Sequence, residues 1–407
     1  MQVITLSNSL RAVLVPCEAE SVAFGLFVAS GSRHETARFA GISHFIEHML
    51  FKGTPKRSQL KITQAIEGRG GNFNAWTSEE ATAYYAHMPC EYLPEAVDII
   101  SDMYLNASIP EDEFLRERQV VLEEIKMYSD EPDAVAMENL QRSLFAPARL
   151  GFPIAGSASS LVKLTSEDLR RYMKGHYRPD NTIAVVVGNF DPDRATKLLE
   201  TALGGVRRPK RGTFADKVDF SVPPVGEVSV AKDVQQLQLA LGYRTFGLKD
   251  DRRYAASVFD AVMGRGMSSR LFQSVREKRA LSYDISSRMQ FFGDAGMWTV
   301  TAGIDKSKAK LALATIDREL GRIASQKVPA AELKRTKEFM IGNFRLAHER
   351  VTSKLFYYGS ALLSYGCVIR PEDQVERIKA VTAEDVREVA ACILDGSNRS
   401  LSWVVPK

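Results

Sequence analysis

The chain is written twice. "LTSEDLRRYMKGHYRPDNTIAVVVGN", from Leu164, returns as "VTAEDVREVAACILDGSNRSLSWVVPK", from Val381, an offset of 217 residues. Each copy opens on a Thr before an acidic first turn, continues as a helix and ends in a β-branched strand. Further upstream, "IPEDEFLRERQVVLEEI" from Ile109 is matched by "VPAAELKRTKEFMIGNF" from Val328 at an offset of 219. A near-constant offset over half of 407 residues means duplication of a whole domain, not a short solenoid repeat. The segment 204–228, "GGVRRPKRGTFADKVDFSVPPVGEV", is rich in Gly, Pro and charge and reads as the linker. The expected domains are therefore 1–208 and 209–407.

Within each half, alternating strand patterns such as "SVAFGLFVASG" and "GMWTVTAGI" mix with long amphipathic helices, and no G-x-G-x-x-G follows a strand. The expected class is α+β: two homologous domains, each a mainly antiparallel sheet covered by helices. Net charge is only +4 and no basic arm carries interleaved aromatics, so nucleic acid is not an expected partner. No apolar run approaches the roughly 18 residues that span a bilayer, and no membrane association is expected. The first residues, "MQVITLSNSLRAVLVPCEAE", read as a strand rather than a signal peptide. The four cysteines form no CxxC pair, so a reducing, cytoplasmic setting is expected.

Against this ordinary background, "GISHFIEHMLFKGT" (41–54) stands out. His44 and His48 are i and i+4, and Glu47 is i+3, so on a helix all three share one face. Two imidazoles so placed suit one small cation, and a carboxylate beside them suits proton transfer from water at that cation. H-x-x-E-H arises by chance on the order of once in two hundred chains with this few histidines. A third ligand is needed. In "FLRERQVVLEEIKMY" (114–128), Glu117 and Glu124 lie seven apart, on one helix face with Val120 and Val121, while Glu123 is rotated by about 100° to another face. A carboxylate buried among valines needs a partner, and a metal is one. The second copy is an internal control. Glu117 maps to Thr336 and Glu124 to Asn343, and the counterpart of the histidine helix, "RYAASVFDAVMG", has no histidine. One metal site per chain is expected.

These residues resemble the M16 metallopeptidases, the inverted zincins, and in particular the two-domain type that includes the mitochondrial processing peptidase β chain. The resemblance runs over essentially the whole chain and implies the M16, LuxS-like fold. In the family the downstream glutamate ligand comes some 75 residues after the second histidine, and 75 residues separate His48 from Glu124. The resemblance thus implies Zn2+ on His44, His48 and Glu124, Glu47 as the catalytic base, and Glu117 as an acidic residue supporting the metal shell. It further implies that Asn74 and Ala75, in "GGNFNAWTSEEATAYYAHM", grip the substrate as an added β-strand. Arg276 and Tyr283, in "GRGMSSRLFQSVREKRALSY", match an Arg-x6-Tyr pair that acts on the scissile carbonyl. The sequence departs from the commoner pattern at Ala280 and Ser282, where glycines are frequent. The implied activity is zinc-dependent cleavage of short or unfolded polypeptides in a closed two-domain chamber. The implied assembly is a homodimer, or a heterodimer with a homologous chain that lends part of the site. Acidic residues after the ligand helix, Asp130, Glu131, Asp133 and Glu138, suggest a preference for basic side chains.

Overall fold

The computed structural model describes residues 1–206 and 216–407. The expected domain boundary at 208/209 lies outside the described residues. Two compact units are formed, and neither is continuous in sequence. The first comprises residues 1–125, 152–216 and 346–369, and the second 126–151, 217–345 and 370–407.

The first unit is built on a six-stranded sheet of β1 (Gln2–Thr5), β2 (Arg11–Pro16), β3 (Ser21–Val28), β4 (Asn72–Thr77), β5 (Thr82–Pro89) and β6 (Thr182–Gly188). Their order is β1-β2-β6-β3-β5-β4, with only β2 and β6 parallel. β3 and β6 are apolar along their length because both faces are covered. Val22, Phe24, Leu26 and Val28 enter one core with Ala184 and Val186. Ala23 and Phe27 enter another with Ile183, Val185 and Val187. On the first face lie α1 (Ile42–Leu50), α2 (Gln59–Glu67), α3 (Leu93–Asn106) and α4 (Glu111–Asp130). The second face is closed by the helix Val351–Tyr365, taken from the other half of the chain, through Leu355, Tyr358 and Leu362. That helix approaches closely: a Cβ at Gly359 would stand 2.5 Å from the Phe27 ring.

The second unit repeats the plan. β7 (Glu227–Lys232), β8 (Leu237–Phe246), β9 (Ser282–Phe291), β10 (Ala295–Ile304) and β11 (Arg399–Pro406) form a sheet of order β7-β11-β8-β10-β9. This is the order of the first sheet without β1, and again one pair, β7 and β11, is parallel. Its outer face is covered by α5 (Pro132–Phe145), which comes from the first half of the chain. α5 begins 219 residues before the helix at Val351, so the two units exchange equivalent helices. Gly25 in β3 and Gly242 in β8, 217 apart, make room for them: an added Cβ would meet Leu355 at 3.2 Å and Leu140 at 2.9 Å respectively. The duplication read from the sequence is thus a duplication of topology, and the mainly antiparallel α+β class is the one observed. Among the described residues, no helix is long and apolar enough to cross a membrane.

Candidate metal centre

α1 is short and entered abruptly. Its first turn follows Gly41, whose φ of +92° is open to glycine and strained for other residues. A Cβ at Gly41 would also lie 2.5 Å from the carbonyl oxygen of Ala155. The helix start has no side-chain cap of its own. Instead Glu35, fully buried, accepts hydrogen bonds from the backbone N–H groups of Gly41 at 2.6 Å and Ser43 at 2.8 Å. A carboxyl there satisfies donors that a helix start leaves unpaired. Ile42, Phe45, Ile46, Met49 and Leu50 are buried in the core and fix the rotation of α1, turning His44, Glu47 and His48 away from it.

Burial pushes the Glu35 carboxyl up to about 7, against the hydrogen bonds from Ser43 and Gly41. Its ordinary value is 4.5. Below that value the carboxyl is protonated in both states and the full stability is present. As pH rises from 4.5 to about 7 the unfolded chain loses this proton first, so stability falls, levelling above 7 at a cost of roughly 3 kcal/mol. Glu35→Gln should remove that contribution. Urea unfolding at pH 5 and pH 8 is expected to show a smaller loss of stability on raising pH in the variant than in the native chain, and equal losses would refute the assignment.

α4 supplies the rest of the site. Pro110 precedes it, and Glu111, Asp112 and Glu113 occupy its first turn, where acidic side chains favour a helix start. Its buried stripe runs Phe114, Glu117 and Val121, with Glu124 following at half-burial. Phe114 stacks on Phe45 of α1 with ring centroids 4.8 Å apart, which docks the two helices. Of the two valines expected on this face, only Val121 is buried. Val120 is 51% exposed, because 300° of rotation from Glu117 carries it off the stripe that Val121 shares. Glu123 is exposed, as its position predicts.

The structure brings together His44, His48 and Glu124, from two helices and 80 residues of chain, with one ligand atom of each within 4.8 Å of the others. Glu124 Oε2 lies 3.4 Å from His48 Nε2 and 3.8 Å from His44 Nε2. His48 Nδ1 donates to Glu117 Oε1 at 2.9 Å, and Lys52, just past the end of α1, forms an ion pair with Glu117 Oε2. Glu47 lies on the same α1 face and accepts a hydrogen bond from Thr77 Oγ1 of β4 at 2.5 Å.

The electrostatics follow from this packing. Desolvation, with the neighbouring His48 charge, pulls His44 down to about 4, against the opposing pull of Glu124. Its imidazole is neutral near pH 7 and has a lone pair to give. Desolvation acts downward on His48 too, but hydrogen bonds to Glu117 and Glu124 outweigh it and push His48 up to about 9. The charged ring then donates on one side to Glu117 and on the other toward Glu124. Burial pushes Glu117 up, yet the hydrogen bonds from His48 and Lys52 win and hold it below its ordinary value. Glu47 is raised by burial, against the Thr77 hydrogen bond and the His48 charge.

The residues present fit zinc. Releasing the extra proton of His48 leaves two neutral imidazoles and one carboxylate, converging from two rigid helices, a set suited to four-coordinate zinc with one position open. Glu117 fixes the His48 ring so that Nε2 faces the cluster, the usual outer partner of a ligating histidine. Three contributors escaped the sequence: Glu35, Lys52 and Thr77. Lys52 had a legible signal, being i+4 to His48. Glu35, six residues before Gly41, has no spacing that marks a cap, and Thr77 meets α1 only through the tertiary fold.

The other expected site residues fall on separate elements. Asn74 and Ala75 lie on β4, the edge strand of the first sheet, with Asn74 exposed. Arg276 and Tyr283 belong to the second unit. Arg276 lies in the π-helical turn Phe272–Glu277 and stacks over Tyr283, 5.0 Å from the ring centroid, while Tyr283, on edge strand β9, is 78% exposed. The chain reverses between them at Ala280, with φ of +47° and its N–H bonded to the Arg276 carbonyl at 2.9 Å. Glycine suits a left-handed residue closing a helix. Ser282 does not need glycine, and its hydroxyl donates to the Gly303 carbonyl at 2.7 Å. Ala280→Gly is therefore expected to raise stability by up to about 1 kcal/mol, read as a higher Tm; an unchanged or lower Tm would contradict the strain.

Residues 12–158 match the family model described as insulinase (peptidase family M16), and residues 163–340 match that of the peptidase M16 inactive domain. An uncharacterized zinc protease of Bacillus subtilis is 34% identical over 387 residues, covering 95% of this chain and 94% of the relative. One of Mycobacterium tuberculosis is 36% identical over 417 residues, covering 98% and 94%. A crystal structure of a protease from Helicobacter pylori superposes with a TM-score of 0.95 at 22% identity, over 100% of this chain and 99% of that one. A chain of complex III2 from Candida albicans does so with a TM-score of 0.88 at 20% identity, over 99% and 95%. At these identities the two structures speak for the fold alone. With family models on both halves and zinc-protease relatives matched nearly end to end, the chain belongs to the M16 peptidase family.

Proposed function

We propose that this chain is a zinc-dependent endopeptidase acting on short or unfolded polypeptides. One observation carries the reading: His44, His48 and Glu124 converge to within 4.8 Å, with Glu47 on the same face of α1 as the two histidines. When bound, zinc supplies Lewis acidity toward a peptide carbonyl and lowers the pKa of water toward neutrality. The protein residues do the rest. Glu47 takes the proton from the attacking water and returns it to the leaving amine, a task suited to a carboxylate raised by burial. Glu117 and Lys52 keep the His48 ring oriented. Asn74 and Ala75 offer the exposed edge of β4 to an extended peptide. Tyr283, with Arg276 stacked on it, would donate to the developing oxyanion.

The substrate preference is part of the same proposal. Asp133 of α5 lines an open groove of about 480 Å³ in the second unit with Tyr283 and Asp284, and such a groove suits a basic side chain, although Arg288 shares its wall. A homodimeric state and a cytoplasmic location complete the reading. A second reading, activity only with a homologous partner chain, stays open beside the match of residues 163–340 to an inactive domain. One experiment tests both. The purified chain is assayed for bound metal and for cleavage of an unstructured peptide library. Zinc with cleavage supports the first reading, zinc without cleavage the second, and a chain that takes up no zinc sinks both.

A further inference from the structure

The carboxylate of Glu47 is anchored from outside the metal cluster. The Thr77 hydroxyl donates to its Oε2 at 2.5 Å, and Thr77 is the last residue of β4. Side chains alternate along a strand, so Phe73, Ala75 and Thr77 share a face. Phe73 packs on Phe51, just past the end of α1, with centroids 5.5 Å apart, and Ala75 packs against the core on that side. Trp76 points the other way, edge-on to Phe27 and Phe356. The hydroxyl therefore reaches α1 from the inner face of the sheet.

The backbone of the same strand carries two further observations. The N–H of Ala75 is bonded to the side-chain oxygen of its own neighbour, Asn74, at 2.8 Å. A group satisfied in that local way faces the free edge, where an added strand would pair. Beyond Thr77 the chain is tightly held. Ser78 N–H donates to the Ala81 carbonyl at 2.8 Å, Arg33 N–H donates to the Glu79 carbonyl at 2.9 Å, and the buried Arg33 guanidinium pairs with Glu80 at 2.7 Å. Thr77 thus hangs on a tightly held strand end, two residues, or about 7 Å, from the edge-facing N–H of Ala75, which only the Asn74 side chain occupies.

We infer that Thr77 is a positioning residue for the general base, tying the Glu47 carboxylate to the edge strand that takes the peptide. The inference rests on the peptidase reading above. A peptide paired at Ala75 and a carboxylate held by Thr77 are both referenced to one strand, so base and scissile bond keep register. Oε2 is fixed by the hydroxyl, and Oε1 is left to take and return the proton. A carboxylate freed from this anchor would spend much of its time in other rotamers, and small misplacements of a base are costly.

A merely structural Thr77 would matter for stability and not for turnover. The test uses the full zinc-loaded chain, a fluorogenic unstructured peptide, Thr77→Val and Thr77→Ser, with zinc affinity and Tm measured on each. Valine keeps the shape and β-branching and removes the hydroxyl. Its kcat is expected to fall about 10–100-fold, the range for a lost hydrogen bond to a charged group, with KM and zinc affinity within about twofold of native. Serine restores the hydroxyl and should recover kcat to within about fivefold. A valine variant within about threefold of native kcat overturns the inference, as does a serine variant no better than valine, or a loss that tracks weaker zinc binding or a lower Tm. A native chain that binds zinc and cleaves nothing overturns the peptidase reading itself. An active native chain matched by its valine variant overturns the role of Thr77 alone.

Discussion

Glu47→Gln should abolish peptide hydrolysis while leaving zinc binding intact. Glutamine preserves the volume and an oxygen for the Thr77 hydroxyl, and it cannot take a proton at neutral pH. General-base catalysis contributes on the order of 10²- to 10⁴-fold, so turnover should fall by at least that range. Stability should hold, since a raised, half-desolvated carboxyl is being replaced by a neutral amide. The measurement is a time course on an unstructured peptide beside metal content and Tm. Hydrolysis at the native rate by a zinc-loaded variant would remove Glu47 from the mechanism.

Glu124→Gln should have the largest effect on metal binding. Glu124 is the carboxylate of the three-ligand cluster, and the other two donors are neutral when they ligate. Its loss should weaken zinc by more than the roughly 10–100-fold typical of changes to outer partners, which is the effect expected of Glu117→Gln. The readout need not be catalytic. Zinc stabilises a protein that binds it only when folded, by about 2.7 kcal/mol at a hundredfold excess over Kd. Added zinc should therefore raise the Tm of the native chain and leave that of Glu124→Gln nearly unmoved, with Glu117→Gln between them. Equal shifts in all three would refute the assignment of Glu124 as a ligand. Inverted ranks would mean that Glu117, which touches His48 at 2.9 Å, is the true ligand.

The two experiments separate proton transfer by α1 from metal binding by α1 and α4 together. Three residues of α1, His44, Glu47 and His48, lie within about one turn, so any change that unwinds α1 would damage all of them together. Metal-dependent stabilisation distinguishes the two cases, because an unwound helix loses it in Glu47→Gln as well.

The sequence by itself determined the duplication, the α+β class and the pairing of His44, Glu47 and His48. These depend on periodicity, on spacing along one helix or on a repeat offset, all of them local or linear properties. The repeat also marked which half lacks the ligands. Glu124 was reachable as well, since a seven-residue spacing set it on one face with Glu117, but the choice between the two needed a family spacing. What only the tertiary structure decided involves contacts between elements far apart in the chain. The exchange of α5 and the helix Val351–Tyr365 between units leaves no periodic trace, because each helix is equally amphipathic whichever sheet it covers. Val120, placed by the sequence among buried residues, is exposed because a helix of 3.6 residues per turn buries a narrower stripe than two adjacent valines span. Glu35 and Thr77 show the same limit most clearly. Neither has ligand spacing or a helical partner in sequence, yet each contacts α1, Glu35 at its backbone start from six residues upstream of Gly41 and Thr77 at its carboxylate from β4. Metal ligands must converge within a few ångströms and so leave a spacing behind, whereas a residue that holds a ligand helix or a base in place can come from anywhere the packing brings it.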